Sequence, residues 1–274
     1  MEPTASRRKI RLSMWARKVA SSAHSSLLAE LGIIFCVPKE SNKRHLTVLA
    51  VIFTASVGFA ASGVDPDKDP QIVKLLQDAR HFINSKNPAA AIPKCDEVIN
   101  AYKAYYGSRK EKIYCARSAP ETLGSLLKAA VDEKNAIALT STWSDGYFMK
   151  AYALQDLRRI NDAKAMPQQA LKLSPFNSQY LDELGQICLL EKNWPQAIKA
   201  FKEAEDNANL APDVSKADEL ARARRGQGYV LVELGKLDEA EEKYQQCIAA
   251  NPNDSKAKAE LDYVREQKAK RKSR

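Results

Sequence analysis

The chain has 274 residues, 45% of them hydrophobic and 28% charged, enough apolar side chain for a packed core. Its formal net charge of +9 is concentrated at the ends, with nine Lys/Arg against three Asp/Glu in residues 1–62 and eight against three in 256–274. The body between them is slightly acidic, which excludes a nucleic-acid footprint spread over the fold.

Residues 1–36 have no fold-forming periodicity and are rich in Arg, Ser and Ala. Ser6-Arg7-Arg8-Lys9-Ile10-Arg11-Leu12 resembles a twin-arginine export box, but the polar run Arg17–Ser26 follows where an apolar core is required. The composition also fits an organellar transit peptide. The plainer reading is a disordered extension, or sequence upstream of a misassigned start. In residues 37–62, Lys43-Arg44-His45 introduces Leu46–Ala61, sixteen residues without a charge. Small residues at Gly58-Phe59-Ala60 and Ala60-Ala61-Ser62 meet the requirement of signal peptidase. A spanning helix wants about 20 residues for the ~30 Å hydrocarbon core. A cleavable signal peptide is therefore favoured over an uncleaved inner-membrane anchor, and either leaves the body periplasmic or exported.

Residues 63–70 (GVDPDKDP) read as a Pro/Asp-rich linker. Helical patterning begins after it. Between Ile72 and Lys103, Leu75, Ala79 and Phe82 share a helix face, and Lys86-Asn87 with Ala91-Ile92 reappears downstream as Lys192-Asn193 with Ala197-Ile198. Residues 110–143 are the least regular stretch. Pro120 should end a first helix early, and Ala136–Ser141 parallels Ala170–Pro175, so a degenerate repeat is expected there. From Ser144 to Ala211 two segments repeat with a period of 34, aligning Ala151 with Gly185, Leu154 with Cys188, Ala163 with Ala197 and Ala170 with Ala204. Asp206–Asp218 inserts about nine residues against that period, read as a lengthened second helix and a loop. The last unit, Ala221–Asp254, carries Gly228, Gly235, Ala240, Tyr244 and Pro252. After it, Ala257, Leu261 and Val264 make the apolar stripe of a terminal helix over 255–274, the cap that a repeat array needs. Its trailing KAKRKSR is expected to be frayed and solvated.

A 34-residue period with small residues at these offsets resembles the tetratricopeptide repeat family. The resemblance covers residues 71–254. It implies an all-α, right-handed superhelical solenoid of antiparallel helix pairs, about four to five units, ending in a capping helix. Its repeat-defining residues here are Ala151, Ala163, Pro175, Gly185, Ala197, Phe201, Gly228, Gly235, Ala240, Tyr244 and Pro252. Gly228 and Ala240 would face each other where two helices cross, Gly235 would make the turn, and Pro252 would stop the second helix. Pro167 departs from the family's aromatic and should kink its helix. The first helices would line a concave groove for a peptide or partner helix, and that mapping selects Arg80, Tyr114, Phe148, Tyr152, Gln186, Arg225 and Tyr229. Tyr152 and Tyr229 are equally placed to pack between helices. The family's clamp for chaperone carboxy termini uses Lys and Asn at first-helix positions that here hold Leu76, Tyr114, Phe148, Asp182 and Arg225, then Arg80, Ser118, Tyr152, Gln186 and Tyr229. The clamp is absent.

No chemistry competes with this reading. The histidines are His24, His45 and His81, without the converging groups of a zinc site, and no phosphate loop, GxSxG or CxxC occurs. The numerous carboxylates fall largely on outward helix faces. A non-enzymatic scaffold binding a protein or peptide is expected, with no cofactor, no metal and no nucleic acid. The alternatives are a cytoplasmic adaptor using the basic tail on nucleic acid, or an accessory subunit of an envelope enzyme complex. Cys95, Cys115, Cys188 and Cys247 follow the apolar segment. In an exported chain Cys95 and Cys115 are candidates for a disulfide between adjacent helices, while Cys188 and Cys247 suit small core positions.

Overall fold

Helix starts and stops follow local chemistry. In a computed structural model that describes residues 63–272, the Asp69 side chain accepts from the Gln71 amide and opens α1 (Pro70–Asn84) with proline in its first turn. A tight turn then starts α2 (Pro88–Tyr106), which runs on through Pro93. The same construction recurs as α4 (Thr142–Asp156) with α5 (Ile160–Leu173), α6 (Ser178–Leu190) with α7 (Trp194–Asn207), and α8 (Asp213–Glu233) with α9 (Leu237–Ala250). The last helix, α10 (Ser255–Lys272), buries Ala257, Leu261 and Val264 against α9, as the stripe predicts.

Each of the four pairs turns through one residue of positive φ: Lys86 at 61°, Arg158 at 60°, Lys192 at 56° and Gly235 at 74°. That left-handed residue is what reverses the chain within a pair. The small residues of the repeat lie at zero exposure where helices cross, Ala151, Ala163, Ala197 and Ala240 among them. Phe201 and Tyr244, the bulky partners, are equally buried. A methyl group on Gly185 would stand 2.6 Å from the Phe201 ring, and one on Gly228 would stand 2.6 Å from Tyr244. Only glycine admits those approaches.

The stretch 110–143 is not a degenerate repeat. It is strand β1 (Lys112–Ala116), helix α3 (Ala119–Val131) and strand β2 (Ala136–Thr140), with Lys112 paired to Ala136 and Ala116 to Thr140 in parallel register. Parallel pairing requires such a crossover, and the unit is an excursion, since α2 packs directly on α4. Pro120 starts α3 rather than ending a helix, because Ser118 caps it and proline fits the first turn. β1 is the buried strand, and the Ser174 hydroxyl donates to its Cys115 carbonyl at 2.8 Å.

Three smaller expectations change as well. The residues beyond the 34 period lengthen α8 to 21 residues, not the second helix before it, and a short 3-10 turn, Ala208–Leu210, precedes it. Helix α5 continues through Pro167, which is buried. The 63–70 segment is docked: Tyr106 donates to Asp65 at 2.6 Å, and Tyr102 and Thr140 donate to Asp67 at 2.9 and 2.6 Å. The readings on residues 1–62, the signal or anchor included, lie outside the described residues.

Candidate functional site

The 34-residue period places equivalent side chains on one surface. Phe148 of α4 and Asp182 of α6 are separated by one period, as are Tyr152 and Gln186, while Arg225 and Tyr229 of α8 follow after the lengthened unit. Tyr152, Asp182, Gln186, Arg225 and Tyr229 line one concave cavity of about 880 Å³, closed at the far side by Lys256, Ala259 and Glu260 of α10. First helices form its floor, and their rigidity fixes the spacing of the side chains.

Four of the seven groove residues selected from the sequence therefore meet here: Tyr152, Gln186, Arg225 and Tyr229. Tyr229 is 44% exposed. Arg225 reaches across to Asp254, whose other oxygen accepts from the Ala257 amide and caps α10. Phe148 is buried beneath the cavity, its ring edge-on to Tyr152 at 4.9 Å and 5.0 Å from Tyr180. Tyr114 is not a groove residue, because it belongs to buried strand β1 and not to a first helix. Arg80 is exposed on α1, outside this cavity.

The cavity floor is acidic. The Asp182 side chain is only 4% exposed, and its Oδ2 lies 3.8 Å from Arg222 Nε. Burial drives the Asp182 carboxyl up to about 7, opposed by Arg222 and aided by Glu183. Burial also raises Glu183, which accepts hydrogen bonds from Gln155 and Tyr152. The sequence names Asp182 only as a clamp position without Lys or Asn, and it does not reveal that either carboxylate is buried. The signal that finds Asp182 is its spacing of one period from Phe148.

A second charged cluster ties the insertion to the array. Arg117, just after β1, donates to Glu121 of α3 at 2.6 Å and to Glu219 of α8 at 2.7 Å. Ser178 also donates to Glu219. The outer face of α3 carries Leu123, Leu127 and Val131, 60, 57 and 83% exposed. All four described cysteines are free thiols. The expected Cys95–Cys115 pair fails at its premise, because Cys115 sits on a strand of the insertion and not on the next helix of the stack. Among the described residues no group of His, Cys, Asp or Glu is placed to hold a metal ion, and no helix is long and apolar enough to cross a membrane.

Four antiparallel pairs with small residues at their crossings, a cap and a shared concave face define a helical-repeat interaction module. The tetratricopeptide repeat family model matches residues 148–212 and 214–255, covering α4 to α9. These residues resemble tetratricopeptide repeats, and such repeats are protein–protein interaction modules. Among solved structures it is similar to a MamA fragment from Desulfovibrio magneticus RS-1, at 16% identity over 75% of this chain and 89% of that one, TM-score 0.49. The OM64 tetratricopeptide domain of Arabidopsis matches at 19% identity over 45% of this chain and 95% of that one, TM-score 0.40. The first such domain of Spaghetti (RPAP3), solved with an HSP90 peptide, matches at 21% over 47% of this chain and 95% of that one, TM-score 0.37. No curated protein matches the chain.

Proposed function

We propose that the chain is a non-enzymatic scaffold that takes a peptide or helix of a partner protein into the cavity between α4, α6, α8 and α10. The observation that carries this is the 880 Å³ concavity with Tyr229 standing 44% exposed on a rigid wall. An exposed aromatic on a preformed surface gains contact area at little entropic cost. A photo-crosslinking amino acid at Tyr229 should capture a partner in cells. The same group at Lys199, exposed on α7 away from the cavity, should not. Equal capture at both positions would count against the groove.

The proposed setting is the cell envelope. Its support is the basic-then-apolar pattern of Lys43–Ala61. Intact mass of protein from fractionated cells tests it: a chain beginning at Ala61 or Gly63 is expected, and full-length protein in the cytoplasm sinks it. The basic-tail alternative draws no support from α10, where Lys268 pairs with Asp238 and Glu241 and Arg271 donates to the Gly235 carbonyl. Residues 268–272 are helical, and Lys268 and Arg271 tie them to α9 and to the turn before it.

A further inference from the structure

The floor of the groove lacks one partner. Among the described residues, five buried side-chain polar atoms have no hydrogen bond, and Asp182 Oδ1 is the one that belongs to a carboxyl group. Its sister oxygen faces Arg222 across 3.8 Å, beyond hydrogen-bond length. A carboxylate oxygen shut from water without a donor is costly, and Asp182 is one of the residues that line the cavity.

The surrounding charges set the sign of that occupant. Asp182 is faced by Glu183 on its own helix and by Glu219, Arg222 and Arg225 on α8. Arg225 is engaged by Asp254, and Glu219 by Arg117. Arg222 is left against two carboxylates, Asp182 and Glu183. On the opposite wall Lys256 and Glu260 offset each other. With Asp182 ionised, the floor thus holds one negative charge more than its cations neutralise.

We infer that Asp182 is the anchor for a cationic side chain, arginine or lysine, of the segment that the groove takes, an inference that rests on the groove reading above. Tyr152 and Tyr229 line the same cavity from α4 and α8, and aromatic faces favour a guanidinium. The cation supplies a donor to a carboxyl group that has none within hydrogen-bond length. Because burial holds this carboxyl near 7, a cation must displace a proton at lower pH. Binding then strengthens about tenfold between pH 6 and pH 8.

The test uses the chain with three short capped peptides, identical except for two central residues: Arg-Arg, Gln-Gln or Glu-Glu. Fluorescence anisotropy reads their affinities for the natural protein and for Asp182→Asn, Arg222→Gln and Tyr229→Ala. The arginine peptide should bind at least tenfold tighter than the others, and Asp182→Asn should abolish both that preference and its pH dependence. Arg222→Gln, which removes the cation that lowers the Asp182 carboxyl, should move the pH dependence of arginine-peptide binding upward. Asparagine has the shape of aspartate without the buried charge, and a thermal melt confirms its fold. Equal binding of all three peptides, weakened by Tyr229→Ala but not by Asp182→Asn, overturns the anchor while the groove stands. Indifference to both variants removes the groove as well, and no binding of the arginine peptide overturns the anchor.

Discussion

Arg117 and Glu219 meet at 2.7 Å across 102 residues of chain, joining the strand–helix–strand insertion to α8. Both side chains are nearly buried, at 12 and 7% exposure, and Glu121 at 3% completes the cluster. Removing the arginine leaves two buried carboxylates without their cation, a class of change costing about 3–5 kcal/mol. Arg117→Ala should therefore lower the urea midpoint sharply. Exchanging Glu121, Arg117 and Glu219 together for apolar residues of similar volume should recover most of the loss, because an apolar core does not need the pair.

The array was largely legible in the sequence, and the insertion was not. A 34-residue period fixes which small residues face each other, so Ala163, Ala197 and Ala240 were identifiable without coordinates. The segment 110–143 has no period to read. Its strands are five residues each, and Ala136–Leu139 satisfies a buried helix end as well as a strand. The groove was legible at Tyr152, Gln186, Arg225 and Tyr229, which sit at the repeat's groove positions. Asp182 stood out only as a clamp position without the clamp's Lys or Asn, and the burial of Asp182 and Glu183 was not legible, because nothing in the spacing of charges reports burial.

Gly185 and Gly226 both meet the ring of Phe201, and Gly228 meets Tyr244. A Cβ at Gly185 or Gly228 would lie well inside contact distance, so something must shift. Gly185→Ala and Gly228→Ala should each cost about 1–3 kcal/mol, measured by chemical denaturation. Trimming the neighbour tests the cause: Phe201→Leu should reduce the penalty of Gly185→Ala and leave that of Gly228→Ala unchanged.

Three of the four within-pair turns place an ordinary residue where the fourth has glycine. Lys86, Arg158 and Lys192 take φ near 60°, the conformation of Gly235. Side-chain crowding there costs roughly 1–2 kcal/mol, partly offset by the greater entropy of an unfolded glycine. Arg158→Gly and Lys192→Gly should each stabilise the chain by about 0.5–1 kcal/mol, and Gly235→Ala should destabilise it. A lower melting temperature for Lys192→Gly would contradict this account of the turns.

Two carboxylates should respond to pH in opposite directions. Burial works against Glu205, but Lys243, Arg224 and Gln227 donate to it and hold its carboxyl down to about 2. A depressed value contributes stability that is complete above the ordinary 4.5 and lost as pH falls toward 2. Glu205→Gln should cost about 2 kcal/mol at pH 7 and little near pH 2. Asp182 runs the other way. Its carboxyl rises from 3.8 to about 7 through burial, so the fold favours the protonated form, and stability drains away as pH climbs between those values. Asp182→Asn should therefore be neutral at pH 4 and stabilising by about 2 kcal/mol at pH 8. Melts of both variants across this range check the signs together. An Asp182→Asn chain less stable than the natural one at pH 8 would mean that Arg222 satisfies the carboxylate after all. The groove floor would then have no charge to offer a partner.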